Sequence, residues 1–182
     1  MKVFNKIMLT FLIVAISFVT IGVSIFFLNF KKDYLDIVST HCNQNNFDRA
    51  MAMSIIKAES KFNKNAKSTA NAIGLMQIKL GTANYVLSLA GESEIDEQQL
   101  FEPETNIKIG VRYLVYLSGK FQSIETILCA YNAGETTVNN WLRQANYSTD
   151  GKTLDEIPYP ETKSYVKKVM MNYKIYKKVF DI

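Results

Sequence analysis

Hydrophobic and polar positions divide this chain into one long apolar run and a series of shorter amphipathic stretches. Residues 7–30 carry no charge, and Thr10, Ser17, Thr20, Ser24 and Asn29 are their only polar side chains. As a helix the run measures ~36 Å, enough to cross a hydrocarbon core of roughly 30 Å with some tilt. A cleaved signal peptide is the rival reading, and it calls for a shorter apolar region followed by a small-x-small cleavage site. Gly22 and Ser24 are the only small pair late in the run, and Ile25-Phe26-Phe27-Leu28 follows them. The expectation is therefore an uncleaved transmembrane anchor.

Beyond it, Phe47, Met51, Ile55, Ala58 and Phe62 recur at steps of three and four, the apolar stripe of a helix. Asn45 or Asn46 is the expected cap of that helix, and 61–67 reads as a polar loop leaving it. Further helices are expected over 82–90, 107–117, 123–131, 135–144 and 161–179, with 91–100 a loop or brief helix and 146–160 irregular. No run alternates convincingly with β-branched enrichment, and no internal repeat is evident, so the fold class is all-α. The expected organisation is a short cytoplasmic segment over 1–6, the anchor over 7–30, a membrane-proximal stalk over 31–41 and one helical domain over 42–182.

Charge changes this picture little. The chain holds 21 basic and 17 acidic residues, a formal +4. Lys2, Lys6, Lys31 and Lys32 flank the apolar run, so residues 33–182 carry 17 of each sign and no net charge. A neutral domain lacks the concentrated basic surface that phosphate binding requires, and no nucleic-acid partner is expected. The lysines Lys167, Lys168, Lys174, Lys177 and Lys178 read as a solvated helix face. Two cysteines make no disulfide framework. His41 is the single histidine and stands beside Cys42, too little for a metal site or a catalytic pair, so no cofactor and no metal are expected.

Chemistry enters with Glu59. It stands four and eight residues after Ile55 and Met51, on the apolar face of the helix. A carboxyl closing such a stripe is partly withdrawn from water, which raises its pKa toward the range of a general acid. A solvated glutamate at a frayed helix end fits the spacing equally well.

The residues that follow decide for chemistry. Glu59-Ser60-Lys61-Phe62, then Ser68, then Ala72-Ile73-Gly74-Leu75-Met76-Gln77-Ile78 stand in order. After them come Asn106-Ile107 with Gly110, and Ala130-Tyr131-Asn132-Ala133-Gly134 with Val138 and Trp141. The series closes with Ile157-Pro158-Tyr159-Pro160-Glu161-Thr162-Lys163-Ser164-Tyr165-Val166 and Asn172-Tyr173. From about residue 42 to residue 176 the chain resembles the lytic transglycosylases of the SLT family, goose-type-lysozyme-like helical domains that cleave bacterial peptidoglycan.

The resemblance implies Glu59 as acid and then base, and Tyr131 as a catalytic partner whose hydroxyl is directed at it. It also implies Ser68, Gln77 and Asn132 as glycan-binding residues and Met76 as the apolar floor of the cleft. Local bracing of the loop remains an alternative for Ser68 and Gln77, and core packing for Tyr131 and Met76. No second carboxylate stands out in the sequence. In the family the N-acetyl group of the substrate stabilises the charge at the anomeric carbon, and the product ends in a 1,6-anhydro sugar. A hydrolytic muramidase and a non-catalytic glycan-binding scaffold are the alternatives. The substrate also orients the anchor: peptidoglycan lies outside the bacterial cytoplasmic membrane, so the domain should face outward, next to wall or secretion machinery that the sequence does not identify. Asn71 and Leu80-Gly81 depart from the family pattern; Asn tolerates left-handed backbone angles and should keep the turn.

Overall fold

The computed structural model describes the backbone from Lys2 to Ile182; Met1 and the side chains of Lys2, Val3, Asn5 and Lys6 lie outside the described residues, and with them most of the expected cytoplasmic segment 1–6. The chain divides into two compact units, Met1–Lys32 and Asp33–Ile182.

The first unit is a single helix, α1 (Lys2–Asn29). Within it Ile7–Asn29 is long and apolar enough to cross a membrane. Three of its polar side chains turn back on their own backbone. Ser17 Oγ donates to Ile13 O at 2.9 Å, Thr20 Oγ1 to Ser17 O at 2.9 Å and Asn29 Nδ2 to Ile25 O at 2.8 Å. Donors satisfied within the helix suit a solvent that offers no hydrogen bonds.

The second unit is helical. In chain order it holds α2 (Leu35–Gln44), α3 (Arg49–Glu59), β1 (Ala72–Ile73), β2 (Ile78–Lys79) and α4 (Leu80–Leu89). These are followed by α5 (Glu97–Leu100), α6 (Pro103–Ser118), α7 (Ile124–Ala133), α8 (Glu135–Leu142) and α9 (Pro160–Val179). The two short strands pair antiparallel, with Ala72 opposite Lys79 and Ile73 opposite Ile78.

At the centre runs α3, where Ala50 to Ile56 and Ala58 are all buried. Burial on every side, not on a single stripe, is the mark of a core helix. Asp48 caps it, its Oδ1 accepting from Met51 N at 3.1 Å. The cap is thus Asp48, not Asn45 or Asn46, because 45 and 46 are used to end α2. Helix α9 lies antiparallel on α3 and grips its polar atoms. Lys168 Nζ donates to Ala58 O at 2.6 Å, Asn172 Nδ2 to Ser54 O at 3.3 Å and Tyr173 Oη to Asp48 Oδ2 at 3.0 Å.

Much of the segment expected as a membrane-proximal stalk, 31–41, is helical. Most of it belongs to α2, whose Val38, His41 and Cys42 are buried in the domain. His41 Nε2 meets Glu104 Oε1 of α6 at 2.6 Å, so the histidine pins α2 to α6. Cys42 and Cys129 are both free, and burial pushes each thiol up to about 12.

Candidate active site

Glu59 is the last residue of α3. Ser60 ends the helix, with its N–H and its hydroxyl both donating to Ile56 O, at 3.0 Å and 3.2 Å. The chain then turns away through two consecutive left-handed residues, Lys61 (φ 52°) and Phe62 (φ 68°). Such backbone costs about 1–3 kcal/mol per residue and persists only where the surroundings over-determine it.

The surroundings are the loop 63–79 and its anchor. Buried Asn106 on α6 donates through Nδ2 to Ile73 O and Leu100 O, each at 2.9 Å, and accepts from Met76 N at 2.8 Å. Gly74 (φ +74°) sits so close that a Cβ there would lie 2.4 Å from Asn106 Nδ2, so the position requires glycine for its space as well as its backbone angle. Asn71 takes the expected left-handed turn, at φ 58°.

Glu59 is half-buried in the wall of a cleft of about 470 Å³, which Ser68, Gln77, Tyr113, Tyr131, Asn132 and Glu161 also line. Burial raises its carboxyl from the ordinary 4.5 to about 7, against the lowering effects of the Tyr165 hydroxyl and the Lys168 charge. Tyr165 is buried, and its hydroxyl reaches no partner at ordinary hydrogen-bond geometry. That hydroxyl faces Glu59, through a contact loose for a carboxyl yet near enough to act on its ionisation. Both Tyr131 and Tyr165 are held well above the usual phenol range, first by burial and then by the Glu59 charge. They stay neutral donors at any working pH.

The remaining expected residues fall in two groups. Tyr131, Ser68, Gln77 and Asn132 share the cleft with Glu59, but each is also held by the protein. The Tyr131 hydroxyl donates to Met76 O at 2.7 Å, so its proton goes to the loop, while its oxygen lone pairs remain. Ser68 Oγ accepts from Ala72 N at 3.0 Å; Gln77, at φ 48°, donates through Nε2 to Gly74 O at 2.9 Å and Ala66 O at 3.2 Å. Asn132 Oδ1 accepts from Thr162 Oγ1 at 2.8 Å, joining the end of α7 to the start of α9. Met76 is the exception. Its side chain is fully buried, packed where a Cβ on Gly110 would meet its sulfur at 2.3 Å, and it is not in the cleft wall.

Two residues were missed. Glu161, exposed in the first turn of α9, places a second carboxylate in the cleft, where the sequence offered none that stood out. Tyr165 lies one helical turn further along α9 and faces Glu59. Both belong to the motif 157–166, which was the signal available. Among the described residues no group of three or more His, Cys, Asp or Glu side chains could hold a metal. What the site offers chemically is one carboxyl that titrates near neutral pH, neutral phenols beside it and an open cleft in front.

Known proteins are similar to this chain in sequence and in fold. The Transglycosylase SLT domain family matches residues 37–153. The chain is 35% identical over 144 residues to the soluble lytic murein transglycosylase of Salmonella typhimurium, covering 78% of this chain and 22% of that protein. It is 42% identical over 108 residues to the membrane-bound lytic murein transglycosylase E of Buchnera aphidicola, covering 55% of this chain and 49% of that one. Its structure is similar to that of the 70-kDa soluble lytic transglycosylase of Escherichia coli, with a TM-score of 0.74, 32% identity, and 83% of this chain against 25% of the other. The chain thus spans about a fifth of the length of the soluble relatives it matches, and its fold is all-α and lysozyme-like.

Proposed function

Since the chain belongs to the Transglycosylase SLT domain family, we propose that it is a membrane-anchored peptidoglycan lytic transglycosylase in which Glu59 does both proton transfers. The observation that carries this reading is the Glu59 carboxyl, raised to about 7 in the wall of the cleft. Such a group holds its proton near neutral pH and gives it up when a basic oxygen is presented.

Glu59 donates its proton to the glycosidic oxygen, and the bond from that oxygen to the anomeric carbon of N-acetylmuramic acid breaks. The substrate's N-acetyl oxygen stabilises the positive charge on the anomeric carbon. The Glu59 carboxylate then removes the proton of the C6 hydroxyl, O6 bonds to the anomeric carbon, and a 1,6-anhydro ring closes. Glu59 ends protonated, as it began. Tyr165 stabilises the ionised carboxyl. Tyr131 orients the protonated one by accepting from it through the lone pairs left free by its bond to Met76 O, and Ser68, Gln77 and Asn132 contact the glycan. Met76 supports the cleft through its carbonyl and its packing, not as a floor.

Glu161 keeps a second reading open, hydrolysis by a water that this carboxylate activates. Its exposed position at the cleft rim favours a binding role instead. Digestion of purified peptidoglycan followed by mass spectrometry separates the two, since an anhydro end is lighter than a reducing end by one water. The wild-type chain and Glu161→Gln should both yield anhydro ends, and Glu59→Gln should lose at least ~10²-fold in turnover. Reducing ends that vanish in Glu161→Gln would move the assignment to a muramidase.

The anchor is α1, uncleaved, with residues 33–182 outside the cytoplasmic membrane of a bacterium. Support comes from its span-length apolar helix, its internally satisfied polar groups and the membrane-bound relative. Protease treatment of spheroplasts should digest the domain, and recovery of a soluble protein beginning near residue 30 would overturn the anchor.

A further inference from the structure

A cleft of about 470 Å³ has the size of a small-ligand pocket, with room for a few sugar rings, whereas a wall glycan is a polymer that must leave it. Three elements continue the cleft wall in one direction. On α4, Thr82 lines the cleft and Tyr85 stands one turn further; on α6, Tyr113 lines it and Tyr116 stands one turn further; on α8, Glu135 directly follows the lining Gly134. These outer three residues meet one another. Tyr85 Oη donates to Tyr116 Oη at 3.1 Å, and Tyr116 Oη donates to Glu135 Oε2 at 2.8 Å. The rings run on without a gap: Tyr131 to Tyr113 at 5.5 Å between centroids, Tyr113 to Tyr116 near-parallel at 6.3 Å, Tyr116 to Tyr85 edge-on at 5.6 Å.

We propose that Tyr85, Tyr116 and Glu135 form an outer glycan subsite, which binds a pyranose ring of the strand as it leaves the catalytic cleft. The inference rests on the glycan-cleaving function proposed above. Tyr85 is the platform: it is 46% exposed, and the negative face of an aromatic ring suits the electropositive C–H face of a sugar. Glu135 is the polar partner, since a carboxylate accepts several hydrogen bonds and Tyr116 supplies one. The cluster braces itself through its own hydroxyls, so the platform is in place before a ligand arrives and little ordering cost attends binding.

The test is binding, read separately from turnover. Peptide-free strands of one to four N-acetylglucosamine–N-acetylmuramic acid repeats are titrated calorimetrically into the full-length Glu59→Gln chain in detergent. Strands that reach past the cleft should bind about tenfold more tightly than those that fill it, a gain of about 1.4 kcal/mol. Adding Tyr85→Ala should remove this gain while leaving the shortest strands unaffected, and Tyr85→Phe, which keeps the ring and loses only its hydroxyl's brace, should keep most of it. Circular dichroism melts confirm that both variants fold. A gain that survives Tyr85→Ala, or no gain with length in the parent chain, overturns the subsite and leaves the function standing. Failure of strands of every length to bind overturns the glycan reading itself, and the subsite with it.

Discussion

Replacing Glu59 by glutamine should make the protein more stable at neutral and alkaline pH while it disables the proposed chemistry. The Glu59 carboxyl stands at about 7 instead of 4.5, because burial penalises its charged form. A folded-state pKa raised above the unfolded value means that the folded chain holds this proton more tightly. As pH climbs from 4.5 toward 7, the unfolded state ionises freely and the folded state does so only at a cost. Stability therefore falls across that window, and the full deficit is present above about 7. At about 1.4 kcal/mol per pKa unit the gap corresponds to roughly 3 kcal/mol, and water in the open cleft screens it to about 2–3 kcal/mol. Glutamine carries no charge and escapes the deficit. For a domain of this size each kcal/mol moves Tm by about 2–4 °C, so Glu59→Gln should melt roughly 4–12 °C above wild type at pH 8. At pH 4 both side chains are neutral and the two melting curves should coincide. Circular dichroism melts of the detergent-solubilised chain between pH 4 and pH 8 measure this. A difference that does not grow between pH 4.5 and 7, or a variant less stable than wild type at pH 8, would refute the burial argument.

Tyr165→Phe removes a hydroxyl that lowers the Glu59 pKa yet has no ordinary partner. The alkaline limb of the pH–rate profile should move up, with stability unchanged to within about 1 kcal/mol; a larger loss in denaturant titration would mean that the hydroxyl is bonded after all. Asn106→Ala deletes three buried hydrogen bonds, two to the loop 63–79 and one to Leu100 O. Unfolding in urea should register a loss of about 3 kcal/mol or more, and turnover should fall although no cleft residue has changed; a loss below about 1 kcal/mol would show that the loop has other anchors.

Local signals in the sequence reached some of this and missed the rest for identifiable reasons. The stripe through Met51, Ile55 and Ala58 marks one face of α3, but the helix is buried all round, which periodicity alone does not reveal. Helix α6 begins at Pro103, four residues before the expected start at 107, because proline is welcome in the first turn, where its missing N–H costs nothing. Helix α2 was read as a stalk because its polar letters conceal His41, whose burial depends on Glu104 some sixty residues away. Met76 could not be oriented from its neighbours. Whether it faces the cleft or the core depends on the left-handed backbone at Gln77 and on the grip of Asn106 on Met76 N. Glu161 and Tyr165 reach the site from the far end of the chain, and only the packing of α9 on α3 brings them there.

That packing also bears on the proposed double role of Glu59. The C-terminus of a helix carries partial negative charge and disfavours an ionised glutamate, so both the position of Glu59 and its burial push its pKa up. Unopposed, they would leave an acid too reluctant to lose its proton, although its carboxylate would be a strong enough base to take one back. Lys168 and Tyr165, both from α9, act in the opposite direction. Lys168 does so while its Nζ holds Ala58 O, one residue before Glu59, so the contact that docks the two helices also sets the charge beside the acid. The result is a carboxyl at about 7, where donating and accepting a proton are comparably favourable at neutral pH. A catalyst that returns its own proton within one turnover needs this balance more than it needs a strong acid.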